Sequence, residues 1–130
     1  MAITVEIVTP REIVAKDVAL AVRAPGFQGE FGVLPGHVPF LSVLRPGVVT
    51  LTREDGSTLS FVVSRGFVEA GPDRLVVLTD ACEPAASVDK NAAAKALVEA
   101  EKGMATLDPN GAEWALAETQ AELNRARLSV

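Results

Sequence analysis

The sequence predicts a mainly β protein with an α appendage: a flattened antiparallel β-sandwich or barrel over residues 1–86, followed by an antiparallel two-helix hairpin over residues 87–130. Three observations predict it. Eight of the ten Gly, seven of the eight Pro and fifteen Val precede residue 88, a mixture of turn formers and strand formers. Apolar residues in that region recur at every second position, the period of a strand with one buried face. Beyond Pro84 the composition changes: residues 88–130 hold eleven Ala in forty-three positions, interspersed with Glu, Lys, Gln and Arg, which favours helix. A chain of 130 residues has room for one ordinary domain, or a small domain with such an appendage.

Taken in order, Ile3, Val5 and Ile7 form the inward face of a first strand, and Val18, Leu20 and Val22 that of a second. Val49 to Arg53 and Thr58 to Val63 flank Glu54-Asp55-Gly56-Ser57, where Asp55-Gly56 supplies the positive φ angles of a tight hairpin. Another hairpin joins Gly66 to Ala70 with Arg74 to Thr79 through Gly71-Pro72-Asp73. Turn signals every ~8–12 residues without an intervening helix point to stacked sheets.

In the second region Asp89 is the expected N-cap of the first helix, whose buried face carries Ala93, Leu97, Ala100 and Met104. Leu107-Asp108-Pro109-Asn110-Gly111 breaks it. A second helix starts near Ala112, with Leu116, Ala117, Gln120, Leu123 and Ala126 sharing a side and Trp114 near its beginning. Alanine contacts bury little area, and ~40 residues without a disulfide or metal rarely fold alone, so the hairpin must lean on the sandwich or on a partner.

The net charge of −5 repels phosphate backbones and anionic lipids, so nucleic-acid binding is not expected. The longest apolar stretch, Val33 to Leu44, is cut by Pro35, His37 and Pro39 and is far shorter than the ~20 residues of a membrane span; no membrane insertion and no cleaved secretion signal are expected. Cys82 is the single cysteine and reads as a small buried apolar residue. His37 is the single histidine, in a Pro-rich turn, and reads as a loop residue held by backbone hydrogen bonds rather than as a base. With no second histidine or cysteine beside it and the carboxylates scattered, neither a metal site nor a catalytic constellation is expected. The run Gly26 to Gly32 is glycine-rich, but Pro35 and Pro39 follow where a phosphate loop opens a helix. It reads instead as a bent surface loop presenting Glu30 beside Phe31, a combination suited to a protein contact. The competing reading has Phe31, Val33 and Leu34 entering the core with Glu30 solvated.

The run Ala24-Pro25-Gly26-Phe27-Gln28-Gly29-Glu30-Phe31-Gly32-Val33-Leu34-Pro35-Gly36-His37-Val38-Pro39-Phe40-Leu41, with Leu44-Arg45-Pro46-Gly47-Val48-Val49 after it, closely resembles the signature of the epsilon subunits of rotary proton-translocating ATP synthases. Val8-Thr9-Pro10, Val63 to Glu69, Val76 to Asp80 and the Ala-rich tail match further pieces of that family in order. The resemblance implies a sandwich of ten strands plus two helices, and a non-catalytic central-stalk subunit joining the gamma subunit to the c-ring and helping couple proton flow to ATP synthesis. It implies a peripheral position on the cytoplasmic face of the bacterial inner membrane, and contacts of the helices with the alpha and beta subunits. It places Gly29, Glu30, Phe31, Gly32, Leu34, Pro35, Gly36 and His37 toward the polar loops of the c-ring, with Glu30 facing a basic residue there.

Relatives that bind ATP on the hairpin carry an aliphatic residue, Asp, two variable residues, Arg and Ala. Here Val88, Asp89 and Ala93 match, but Ala92 replaces the arginine, so the site is degenerate and no cofactor is expected. The alternative within the same assembly is a regulator that inhibits ATP hydrolysis through its helices and senses nucleotide. A free-standing ligand-binding sandwich is a third reading.

Overall fold

A computed structural model describes residues 1–130. Ten strands run in chain order: β1 (Ile3–Val8), β2 (Ile13–Ala19), β3 (Ala21–Gly26), β4 (Gly29–Val33), β5 (Phe40–Leu44), β6 (Gly47–Thr52), β7 (Thr58–Val63), β8 (Gly66–Ala70), β9 (Arg74–Thr79) and β10 (Cys82–Pro84). A single 3-10 turn, Ala85–Ser87, leads to helices α1 (Lys90–Thr106) and α2 (Ala112–Ser129). The strands follow the order β10-β7-β6-β3-β5-β8-β9-β1-β2, with β4 on β3. Between β3 and β5 the ladder narrows to one pair, Gly26 with Leu44, and the sheet folds there into two five-stranded layers. The ten-strand sandwich and the two helices match the sequence reading. One detail differs from an all-antiparallel sheet: β1 pairs β9 in parallel, because the N-terminal strand inserts between β9 and β2 and runs alongside β9.

The period-two faces meet in a core of sixteen buried residues, among them Ile3, Val5, Ile7, Val22, Val33, Leu44, Val49, Leu51, Phe61, Val63, Val68, Leu75 and Val77. Each such Val, Leu or Ile contributes about 1.5–3 kcal/mol by leaving water. Both hairpins form where the turn residues place them, but in the first only Gly56 has a positive φ, +85°; Asp55 does not, so the expected pair of positive φ angles is reduced to the glycine. At one position a glycine is obligatory for packing: a Cβ on Gly66 would lie 1.7 Å from the Leu78 carbonyl oxygen, inside the β8–β9 pair. Asp17 closes the sandwich between layers by accepting from Arg53 Nε and Nη2 at 3.0 and 2.8 Å.

The second-strand reading needs correction. Val18 and Leu20 are exposed and only Val22 points inward, because the strand breaks at Leu20, where the chain leaves β2 in one layer for β3 in the other. The inward positions are Ala19 and Val22, three apart, so the alternation changes phase at the crossing.

The hairpin lies on β6 and β7 through α2. Leu123 and Ala126 cover Val62, with Val48, Val88 and Val130 around them. Three ion pairs span the same interface: Arg127 Nε to Glu83 Oε1 at 2.6 Å, Arg45 to Glu122 at 3.5 Å and Arg65 to Glu118 at 3.9 Å. Between the helices Ala93 and Ala100 are buried as expected, facing α2. Trp114 Nε1 donates to the Met104 carbonyl at 3.1 Å and fixes the hairpin's far end. On α2, however, Leu116 and Gln120 are exposed. The buried set is Ala121, Leu123, Asn124 and Ala126, because α2 is covered on two sides, by α1 and by the sandwich. Neither helix is long and apolar enough to cross a membrane.

Candidate functional site

The loop singled out by sequence is a β-hairpin and its extension. β3 and β4 pair closely, Gly26 opposite Gly29, Pro25 opposite Glu30 and Ala24 opposite Phe31. Gly29 turns the chain at φ +128°, and a Cβ on Gly26 would meet the Gly29 carbonyl oxygen and the Phe31 ring, each at 2.8 Å. These two glycines are therefore demanded by a turn and by a close approach. Gly36, at φ +87°, makes the second turn, and its N–H donates to the Pro72 carbonyl at 2.6 Å, tying the loop to the β8–β9 turn.

Aromatic contacts stiffen the loop. The Phe31 and Phe40 rings meet edge to face with centroids 5.5 Å apart, and the His37 ring lies 4.8 Å from that of Phe40. His37 Nδ1 is 2.7 Å from the Val38 carbonyl, the backbone-held role expected of it. Val33 enters the core and Phe31 packs against it, whereas Leu34 stays 64% exposed. The core reading is thus right for the first two and wrong for Leu34. Pro35 is half-buried, and Gly32 and Gly36 are exposed. Leu34, Val38 (70% exposed) and Leu41 (66%) follow one another along the loop and into β5 as apolar groups facing solvent. Such exposure on a rigid frame suits adhesion to another protein surface.

Glu30 is not a solitary acid. Its Oε1 lies 2.7 Å from Arg23 Nη2, an exposed pair on the outer face of the β3–β4 hairpin. Sequence reading missed Arg23, since only the hairpin register brings residues 23 and 30 together.

Sequence reading also missed a second exposed apolar surface. On the outer face of the layer opposite the helices, Val43 pairs with Phe67, Phe67 with Leu78, and Leu78 with Val8. The first three are close to half exposed, so they form an apolar row across adjacent strands. The signal was available in sequence as outward-facing Val, Phe and Leu where alternation calls for polar residues.

The residues of the degenerate nucleotide motif have structural roles here. Val88 packs beside the Val62–Leu123 cluster, Asp89 caps α1 by accepting from the Ala92 N–H at 3.0 Å, and Ala93 is buried. The retained letters anchor the hairpin, and the altered one, Ala92, is exposed. Cys82 is half-buried against the main core, and burial pushes its thiol up to about 11, which keeps it protonated and unreactive near neutrality.

Together these features define a class: a sandwich-and-hairpin chain with exposed apolar groups on a bent loop and across one sheet face. Residues 2–85 match the family described as "ATP synthase, Delta/Epsilon chain, beta-sandwich domain". The ATP synthase epsilon chain of Myxococcus xanthus is 40% identical over 126 residues, covering 97% of this chain and 92% of the relative. That of Moorella thermoacetica is 39% identical over 126 residues, covering 97% and 93%. Among solved structures, a chain of the Euglena gracilis mitochondrial ATP synthase OSCP/F1/c-ring assembly superposes with TM-score 0.84 at 25% identity, covering 96% of this chain and 78% of that one. The chain belongs to the family of ATP synthase epsilon chains and is thereby a subunit of the ATP synthase complex.

Proposed function

We propose that the chain is a non-catalytic rotor subunit of the central stalk that joins the gamma subunit to the c-ring and so helps couple proton translocation to ATP synthesis. The observation that carries this reading is the glycine-framed loop, which holds Glu30 and Leu34 outward on a stiff aromatic base tied to the sandwich. A torque-bearing contact needs a surface that does not yield, and the Phe31–Phe40–His37 ring contacts and the Gly36–Pro72 hydrogen bond brace this one. The loop meets the polar loops of the c-ring, and the apolar Val43–Phe67–Leu78 row receives the gamma subunit. In this arrangement the chain sits peripherally on the cytoplasmic face of the bacterial inner membrane. The test is reconstitution: ATP synthase stripped of this subunit regains proton-driven ATP synthesis with the parent chain and regains less with Glu30→Lys or Phe67→Asp.

A second role is favoured by one observation. The hairpin meets the sandwich through a small apolar cluster, Val62, Leu123 and Ala126 with Val48, Val88 and Val130 around it, and three ion pairs, far less than the sixteen-residue core inside the sandwich. Inhibition of ATP hydrolysis by released helices contacting alpha and beta subunits is consistent with that. Nucleotide control of the release is disfavoured by Ala92 and by the engagement of the Asp89 carboxylate in capping. Hydrolysis by the complex with and without residues 88–130 measures this role.

A further inference from the structure

The Arg23–Glu30 pair changes what the contact loop offers. Arg23 on β3 lies opposite Gly32 on β4, and Glu30 lies opposite Pro25, so the two side chains are diagonal neighbours on one outward face. Gly32 leaves the space between them open: a Cβ there would meet nothing closer than the Val22 carbonyl oxygen at 3.9 Å. The guanidinium can therefore lie across the strand to reach Glu30 at 2.7 Å, and no other carboxylate lies within ion-pair distance of Arg23.

We propose that Arg23 is an intramolecular competitor for the contact carboxylate, setting how tightly this loop holds a basic partner surface. The inference rests on the reading of Glu30 as the acid that meets a base of the c-ring. A partner ammonium or guanidinium approaching Glu30 meets a carboxylate already paired and an exposed positive charge beside it. Both act in one direction, lowering the loop's affinity for a base. Both are electrostatic at a solvent-exposed site, so both fade as salt rises. Arg23 is thus a specificity-determining residue: the full strength of the contact goes to a partner that offers Glu30 a base and also gives Arg23 an acceptor of its own.

The experiment is a double-mutant cycle on the full chain, binding to ATP synthase stripped of this subunit, at low and at high salt. Because Arg23 is exposed and outside the core, Arg23→Gln keeps the fold, which its unchanged unfolding midpoint confirms. At low salt Arg23→Gln tightens binding about two- to five-fold, the size of an exposed pair. Glu30→Gln weakens binding, and by a larger factor in the Arg23→Gln background than in the parent. The gain from Arg23→Gln becomes smaller once Glu30 is neutralised, since only the direct repulsion of the partner's base is then relieved, and it shrinks at high salt. If Glu30→Lys weakens binding but Arg23→Gln leaves it unchanged or weaker, the competitor role is overturned while the contact itself stands. An equal gain from Arg23→Gln with and without Glu30 also overturns it, since Arg23 would then act on the partner directly. If Glu30→Lys binds as tightly as the parent, the contact reading fails and takes this inference with it.

Discussion

The sandwich and the hairpin are built by different physics. In the sandwich sixteen side chains from two layers bury one another, and β1 to β9 are each fixed by their neighbours' hydrogen bonds as well as by buried apolar side chains. In the hairpin the helices touch through alanines, and the pair is attached by Leu123, Ala126 and charged side chains at the rim. The hairpin rests on a surface that the sandwich leaves apolar at Val62 and Val48. A sheet-built scaffold and a helical hairpin packed on it thus coexist in one chain, and the exposed apolar groups Leu34, Val38, Leu41, Val43, Phe67 and Leu78 lie on the scaffold.

Disturbing each core in turn separates the two regions. Ile7→Ala in the sandwich is expected to lose about 2–5 kcal/mol of global stability, read by urea unfolding. Gly66→Ala is expected to do at least as much, since its methyl has no place beside the Leu78 carbonyl. Leu123→Ala should leave the sandwich's unfolding midpoint nearly unchanged while amide protection across 90–129 collapses. If it instead lowers both together, the two regions form one cooperative unit.

A smaller effect separates the charged rim from the apolar contact. Arg127 holds Glu83 while its Nη1 donates to Asn124 Oδ1 at 2.9 Å, and Asn124 Nδ2 donates to the Gln120 carbonyl at 2.8 Å. Glu83→Gln should weaken hairpin docking by ~0.5–1 kcal/mol, and high salt should weaken docking of the parent more than of the variant, which keeps the Arg45–Glu122 and Arg65–Glu118 pairs. Amide exchange in α2 reads both.

Acid should reach the sandwich through Asp17. The hydrogen bonds from Arg53 and then from the Val18 N–H hold its carboxyl below the usual range. A folded-state value below the unfolded one gives stability that is present above about pH 4 and is lost as pH falls through the folded value. Asp17→Asn should therefore flatten the acid limb of stability against pH. The smallest effect concerns Cys82: its thiol, raised to about 11, should react with iodoacetamide at pH 8 far more slowly in the folded chain than after denaturation.

Much of this division was legible in the amino acids. Asp55-Gly56 and Gly71-Pro72-Asp73 fixed two hairpins because turn chemistry is local, and Asp89 marked the first helix for the same reason. Phe61-Val62-Val63 carried a signal that alternation alone hides: three consecutive buried residues mark a strand covered on both faces, and α2 is what covers the second. The failures are non-local. Val18 and Leu20 share parity with Val22, but a crossing between layers at Leu20 resets the phase. Leu116 and Gln120 fell on the wrong side because an alanine-rich helix has several candidate faces, and the choice is made by α1 and the sandwich together. The glycine-framed loop was visible as composition, yet the Arg23–Glu30 pair required the register of β3 against β4.

In the proposed role the sandwich, residues 1–86, carries the coupling function and the hairpin does not. The most direct measurement supplies ATP synthase stripped of this subunit, in sealed vesicles, with either the full chain or residues 1–86, after circular dichroism has shown the fragment folded. Proton-driven ATP synthesis restored by the fragment to the level of the full chain is the predicted result. A folded fragment that binds the complex and restores none of it, while the full chain restores it all, would contradict the account.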